Sequence, residues 1–336
     1  MIRFPAPLRP GDRIGVTSPS SGVEGAGARR IEFCVDWLRE RGYAVEVGDC
    51  MDGSTHISAP KEARAAELNR MLTDPAIRAV VPPWGGETAI DLLDQLDWDA
   101  IAAAEPTWFV GWSDISTLLL PITLRTGVAT LHGDNLADTP YSVPDGLVHW
   151  LDVAGATGPV VQRQPGLIAD WVRFEEDHTA TEWKRVGVGE WSLHGADRLA
   201  ATGRLLGGCL DTVSALTGTP YGDVAGFARD HCPEGTIIYL EVCEDDAFTS
   251  CREFHNLRYA GWFDAANAIL IGRTKAPDSS TLTQREGVLD ALGDLGLPIV
   301  FDVEFGHVPP KLQLLNGALA TVEVGPDVRQ ITQELR

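Results

Sequence analysis

Between residues 13 and 133, short apolar runs of strand length alternate with longer segments of helical period, and this alternation restricts the fold most. Strands are expected at Arg13–Thr17, Tyr43–Val47, Ala79–Pro82, Trp108–Val110 and Val128–Leu131. Helices are expected around Ile31–Leu38, over Lys61–Leu72, through Ile90, Leu92, Leu93 and Leu96, and through Ile115, Leu118, Leu119 and Ile122. Strands separated by helices imply a parallel sheet covered on both faces. Ligands of such sheets bind at the carboxyl ends of the strands. The turns after Thr17, Pro83, Gly111 and Leu131 all open at that edge.

The pattern weakens from Asp134 to His194, where Pro, Gly, scattered charges and Trp150, Trp171, Trp183 and Trp191 dominate. Such a length without regular period reads as a connector with a job of its own. Period returns with strands near Leu199–Leu206, Thr236–Val242, Ala268–Ile271, Ile299–Val303 and Ala318–Val324. Helices are expected near Asp211–Leu216, Ala247–Tyr259 and Arg285–Leu295. The division expected is 1–135 for an N-terminal domain, 136–195 for the connector and substrate loop, and 196–336 for a second α/β domain.

Lys+Arg 27 against Asp+Glu 48 gives 27 − 48 = −21, a field that repels phosphate backbones and anionic membranes. Nucleic-acid and membrane partners are therefore not expected. No apolar run reaches membrane-spanning length and the N-terminus carries no secretory pattern, which points to the cytoplasm. None of the six cysteines forms a C-x-x-C pair, so no metal is expected. Gly25-Ala26-Gly27 lacks the third glycine of a dinucleotide fingerprint, and no cofactor is expected.

Ser113 is the candidate nucleophile. Trp108-Phe109-Val110 end a buried strand, Gly111 breaks it, and Asp114 suits the first turn of a helix. A serine on such a turn lifts its hydroxyl to the sheet edge beside helix amides, as acyl transfer requires; an N-cap serine has the same local pattern. A nucleophile needs a base and an acid to orient it. His307, in Phe305-Gly306-His307-Val308-Pro309-Pro310, follows an apolar strand and is fixed by Gly and Pro. Glu241 ends the apolar run Thr236–Leu240, where a carboxylate needs partners. Glu244, Asp245, Asp302 and Glu304 are its rivals. Gly85-Gly86 ends another strand, and the amides of Gly86 and Asp114 suit an oxyanion hole. Gly207-Gly208 is a second strand–helix junction that either approaches the site or packs helix on sheet. The order Ser, Glu, His occurs in hydrolases, but Gly111-Trp112-Ser113-Asp114-Ile115 lacks the second glycine of G-x-S-x-G.

Leu8–Val16 leading to Ser18-Pro19-Ser20, then Gly85-Gly86, Gly111–Asp114, Gly207-Gly208, Glu241 and Gly306-His307 together resemble the LD-carboxypeptidase family of serine peptidases, including its microcin C immunity branch. The resemblance implies a flavodoxin-like N-terminal domain with a parallel sheet bearing the nucleophile. It also implies a smaller C-terminal α/β domain of swivelling type bearing Glu and His, and a metal-free homodimer. Ser113 would be the nucleophile, His307 the base and Glu241 its orienter. The immunity branch cleaves aminoacyl-nucleotide conjugates and the murein branch tetrapeptides, so the substrate is a small peptide or aminoacyl-nucleotide. A connector aromatic would stack on the base, which makes Trp183 and Trp191, with Gly85, the substrate-binding candidates. Cys209 replaces an expected asparagine, and Asp134 a frequent proline. A non-enzymatic ligand-binding protein with two lobes is the remaining alternative.

Overall fold

The computed structural model describes residues 2–335. Its first unit comprises β1 (Arg13–Val16), α1 (Gly25–Glu40), β2 (Ala44–Val47), α2 (Lys61–Thr73), β3 (Ile77–Val80), α3 (Trp98–Ala103), β4 (Trp108–Gly111), α4 (Ser116–Thr126) and β5 (Thr130–His132). These strands pair in parallel in the order β5-β4-β3-β1-β2. That is the flavodoxin-like order, with its switch point between β1 and β3. Every residue of β4 is buried, as a central strand with helices on both faces must be.

The connector is more ordered than its sequence suggests. It contains α5 (Trp150–Gly155), β6 (Val160–Arg163), the antiparallel pair β7 (Ile168–Asp170) and β8 (Lys184–Gly187), and β9 (Ser192–His194). The second unit follows: β10 (Leu199–Cys209), α6 (Leu210–Val213), α7 (Val224–His231), β11 (Thr236–Glu241), α8 (Ala247–Tyr259), β12 (Ala266–Gly272), α9 (Gln284–Leu292), β13 (Ile299–Val303), β14 (Leu314–Asn316), β15 (Leu319–Gly325) and β16 (Val328–Glu334). Its sheet runs β6-β16-β15-β10-β11-β12-β13-β9. It holds more strands than the period of residues 196–336 suggests, because connector strands β6 and β9 close its two edges. β14 leaves this sheet and pairs antiparallel with β5 of the first.

Two local expectations are corrected. The helix expected through Ile90–Leu96 is only a 3-10 turn over Ala89–Leu92. The chain then reverses at Asp97, whose side chain caps α3 by accepting from the Ala100 amide at 2.9 Å. Leu92, Leu93 and Leu96 are buried all the same, so the apolar spacing reflected burial, not a helix. α7, β14 and β16 were not anticipated. β14 has three residues, too few for any period to show.

α4 packs between the two sheets, touching β5 on one side and β10 on the other. Leu118, Leu119, Leu120 and Ile122 are all buried, which explains a helix apolar all round. Among the described residues no helix is long and apolar enough to cross a membrane.

Candidate active site

Ser113 sits where β4 hands over to the turn before α4, with φ 62°. A non-glycine residue in the left-handed region costs of order 1–3 kcal/mol and persists where its surroundings over-determine it. Here they do. The Asp114 carboxylate is buried and accepts from Ser20 Oγ at 2.6 Å, the Ala89 amide at 2.8 Å and Thr117 Oγ1 at 3.2 Å. One carboxylate thus ties the serine turn to the loops after β1 and β3. Gly85 lies against the serine: a Cβ there would fall 2.8 Å from both Ser113 Cβ and Oγ, and 3.0 Å from the Asp114 amide nitrogen.

The rest of the constellation comes from the second sheet. His307 Nε2 is 3.1 Å from Ser113 Oγ, and its Nδ1 lies 2.9 and 3.1 Å from the two oxygens of Glu241. Glu241 ends β11, fully buried. Gly272 and Gly306 leave the room it occupies, since a Cβ at either would overlap its side chain at 2.5 and 2.4 Å. Burial alone would raise the Glu241 carboxyl, but the charge and hydrogen bond of His307, helped by His132 and Cys209, outweigh it and hold it below the ordinary value. The buried carboxylate therefore stays charged and faces imidazole Nδ1.

Of the rival acids, Glu304 pairs with Arg273 at 2.8 Å. Glu244 and Asp245 donate their amides, at 2.9 and 3.1 Å, to Asp211. Asp302 is exposed and accepts from Ser192. None reaches His307.

The amide of Gly86 has no partner among the described residues. That of Asp114 belongs to the first turn of a 3-10 segment, whose leading N–H groups have no partner within the helix. Gly207-Gly208 packs helix on sheet. A Cβ at Gly208 would meet Ser116 Cβ at 2.7 Å, and the Cys209 amide donates to Ser116 Oγ at 3.2 Å. The second sheet is thereby pressed onto the first turn of the serine's own helix. Cys209 Sγ, a Glu241 oxygen and a His307 nitrogen lie within 4.8 Å of one another, with His307 paired to Glu241 at 2.9 Å.

The two tryptophans singled out from the connector part ways. Trp191 is 2% exposed and donates its indole N–H to buried Glu304, so it is a core anchor of the second sheet and not a ligand contact. Trp183 is half-buried, stacks on Tyr141 at 4.0 Å and meets the edge of Trp171 at 6.2 Å. Trp171 in turn lies parallel to Trp112 at 6.0 Å, and Trp112 meets the edge of His307 at 4.3 Å. An aromatic wall thus runs from the imidazole to the connector. Beneath it, Asp138 accepts from the indole N–H groups of Trp112 at 3.1 Å and Trp171 at 2.9 Å, and from Lys311. Lys311 Nζ also lies 3.3 Å from Asp134 and 3.9 Å from the Trp112 ring centroid. Sequence reasoning missed Trp112, Trp171, Asp138 and Lys311. A lysine directly after Pro309-Pro310 and close to His307 was the available signal.

Two sheets meeting at a serine, an imidazole and a buried carboxylate define an α/β protein of hydrolase type. Residues 14–133 match the LD-carboxypeptidase N-terminal domain and residues 202–322 the LD-carboxypeptidase C-terminal domain. A carboxypeptidase-like protein of Streptomyces coelicolor is 30% identical over 325 residues, covering 95% of this chain and 93% of its own. The microcin C7 self-immunity protein MccF of Escherichia coli is 25% identical, covering 98% and 95%. The structure of MccF in complex with aspartyl sulfamoyl adenosine superposes with a TM-score of 0.82 at 23% identity, covering 99% of this chain and 98% of that one. The chain belongs to the LD-carboxypeptidase family.

Proposed function

We propose that the protein is a serine carboxypeptidase or amidase that hydrolyses the amide bond of aminoacyl-nucleotide conjugates, for self-immunity or detoxification. The observation carrying this reading is the unbroken chain Ser113 Oγ, His307 and Glu241 at 3.1 and 2.9 Å, with the serine at positive φ. In the first step His307 Nε2 takes the Ser113 proton as Oγ attacks the carbonyl carbon. Glu241 stabilises the imidazolium at Nδ1. The amides of Gly86 and Asp114 receive the oxyanion, each such donor being worth about 3 kcal/mol in the transition state. His307 then protonates the leaving amine, and a water activated by the same imidazole hydrolyses the acyl-enzyme.

In this reading residues 1–135 supply the nucleophile, 196–336 the acid and base, and 136–195 the aromatic surface. Trp183 and Trp171 offer flat rings for a nucleobase, and a relative of this fold carries aspartyl sulfamoyl adenosine. Cytoplasmic residence and a homodimer belong to the same reading.

Ser113→Ala is expected to lower turnover by at least about 10³-fold while ligand binding survives. Undiminished hydrolysis would remove Ser113 from the mechanism. The substrate is tested by offering the purified protein an aminoacyl sulfamoyl-adenosine and a murein tetrapeptide side by side. Cleavage of the conjugate supports the assignment; cleavage of the tetrapeptide alone replaces it with a murein LD-carboxypeptidase.

A further inference from the structure

Outside the active site, two side chains of one helix converge on one carboxylate oxygen of another. Cys251 and His255 stand four residues apart on α8, hence on one face. Cys251 Sγ is 3.5 Å from Asp290 Oδ2 of α9, and His255 Nε2 is 3.0 Å from the same oxygen. All three ligand atoms lie within 4.8 Å of one another. Gly287 lets the helices come this close, since a Cβ there would already be 3.3 Å from Cys251 Cβ.

We propose that Cys251, His255 and Asp290 form a binding site for a divalent transition-metal cation, zinc above others, that clips α8 to α9. Zinc bonds of about 2.0–2.3 Å to S, N and O in a tetrahedron set the ligand atoms roughly 3.3–3.7 Å apart. The two separations to Asp290 Oδ2, 3.5 and 3.0 Å, lie within a few tenths of an ångström of that geometry, and the Cys251–His255 separation is under 4.8 Å. His255 Nδ1 is buried without a partner, so the ring presents Nε2 outward. The His255 side chain is 29% and the Asp290 side chain 63% exposed, which leaves the cation a path from solvent and a water the fourth position. Thiolate with imidazole favours zinc over magnesium or calcium. Binding releases the Cys251 thiol proton to solvent, and His255 ligates through Nε2 in the tautomer that carries its proton on Nδ1. α8 follows the strand that ends in Glu241, and α9 leads into β13, after which His307 comes, so the clip steadies the unit presenting both.

The test is titration of the full chain, stripped with a chelator, with cobalt(II) and then zinc. One equivalent should bind, with thiolate-to-cobalt charge-transfer absorption in the near ultraviolet, displaced by zinc, and zinc should raise the Tm. Cys251→Ser should abolish the charge-transfer band, and Asp290→Asn should weaken binding at least about tenfold. Cys209→Ser should leave the band in place. A band kept by Cys251→Ser and lost by Cys209→Ser would move the metal to the active site and overturn the proposal. So would binding that needs millimolar metal.

Discussion

The backbone of Ser113 depends on two close neighbours. Its left-handed backbone is held by the Asp114 carboxylate and by the absence of a side chain at Gly85. Gly85→Ala should therefore lower kcat by about 10²-fold or more, because the new methyl displaces both the serine and the Asp114 amide proposed to receive the oxyanion. Steady-state kinetics beside a thermal melt check this: a fall in kcat is expected at a temperature where the melt shows the variant still folded, and wild-type kcat would refute the argument. Glu241→Gln keeps the shape of the buried side chain but removes the charge facing Nδ1. Loss of the imidazole tautomer and of imidazolium stabilisation predicts a kcat lower by roughly 10³–10⁴-fold, with KM little changed. A loss below tenfold would mean that Glu241 only fills space.

At the scale of elements, β5 places His132 beneath the active centre, against Tyr239 and Phe305 at ring separations of 5.4 and 6.3 Å. Burial pushes its imidazole down to about 4 from 6.5; Glu241 opposes this while Lys311 and His307 add to it. The unfolded chain thus takes up a proton before the folded one as pH falls. The stability owed to His132 is complete above pH 6.5 and is lost progressively toward pH 4, in all roughly 3 kcal/mol. His132→Phe retains the aromatic contacts and should flatten that slope in denaturant unfolding measured at pH 7 and pH 4.5. An unchanged slope would place the proton elsewhere. The elements legible from sequence were those whose apolar period matches their burial: β1, β4, β11, α2 and α8. The serine turn was legible for the same reason, since a four-residue buried strand ending at glycine leaves the chain no other course. Glu241 stood out as one charge in an apolar run. What stayed hidden was carried by pairing. β6, β9 and β14 are three or four residues long and become strands only because a sheet edge from a distant part of the chain receives them. Trp191 is a substrate-binding candidate by sequence, yet it is buried, with its indole bonded to Glu304, 113 residues away.

For the whole molecule, the segment after His307 closes the structure on itself. Pro309-Pro310 leads to Lys311, and β14 then crosses to pair with β5, so the C-terminal half completes the N-terminal sheet. Lys311 is the charge at that crossing. Its side chain is 2% exposed and reaches Asp134 at the end of the first unit and Asp138 at the start of the connector, while Asp138 also holds the indoles of Trp112 and Trp171. Burial raises the Asp134 carboxyl, and Lys311 is the main influence against it. Removing only the cation would leave two buried carboxylates facing each other, whereas removing the charges together would not. Lys311→Met should cost about 3–5 kcal/mol, the usual penalty for breaking a buried ion pair from one side. Adding Asp134→Asn and Asp138→Asn should recover a large part of it. Because Asp138 anchors the aromatic wall, Lys311→Met should also raise KM for a nucleotide conjugate more than it lowers kcat. Calorimetric melting and steady-state kinetics on the single and triple variants decide the matter. A Lys311→Met protein within about 1 kcal/mol of wild type would show that water, not Lys311, satisfies those carboxylates, and that the junction between the two sheets does not depend on this ion pair.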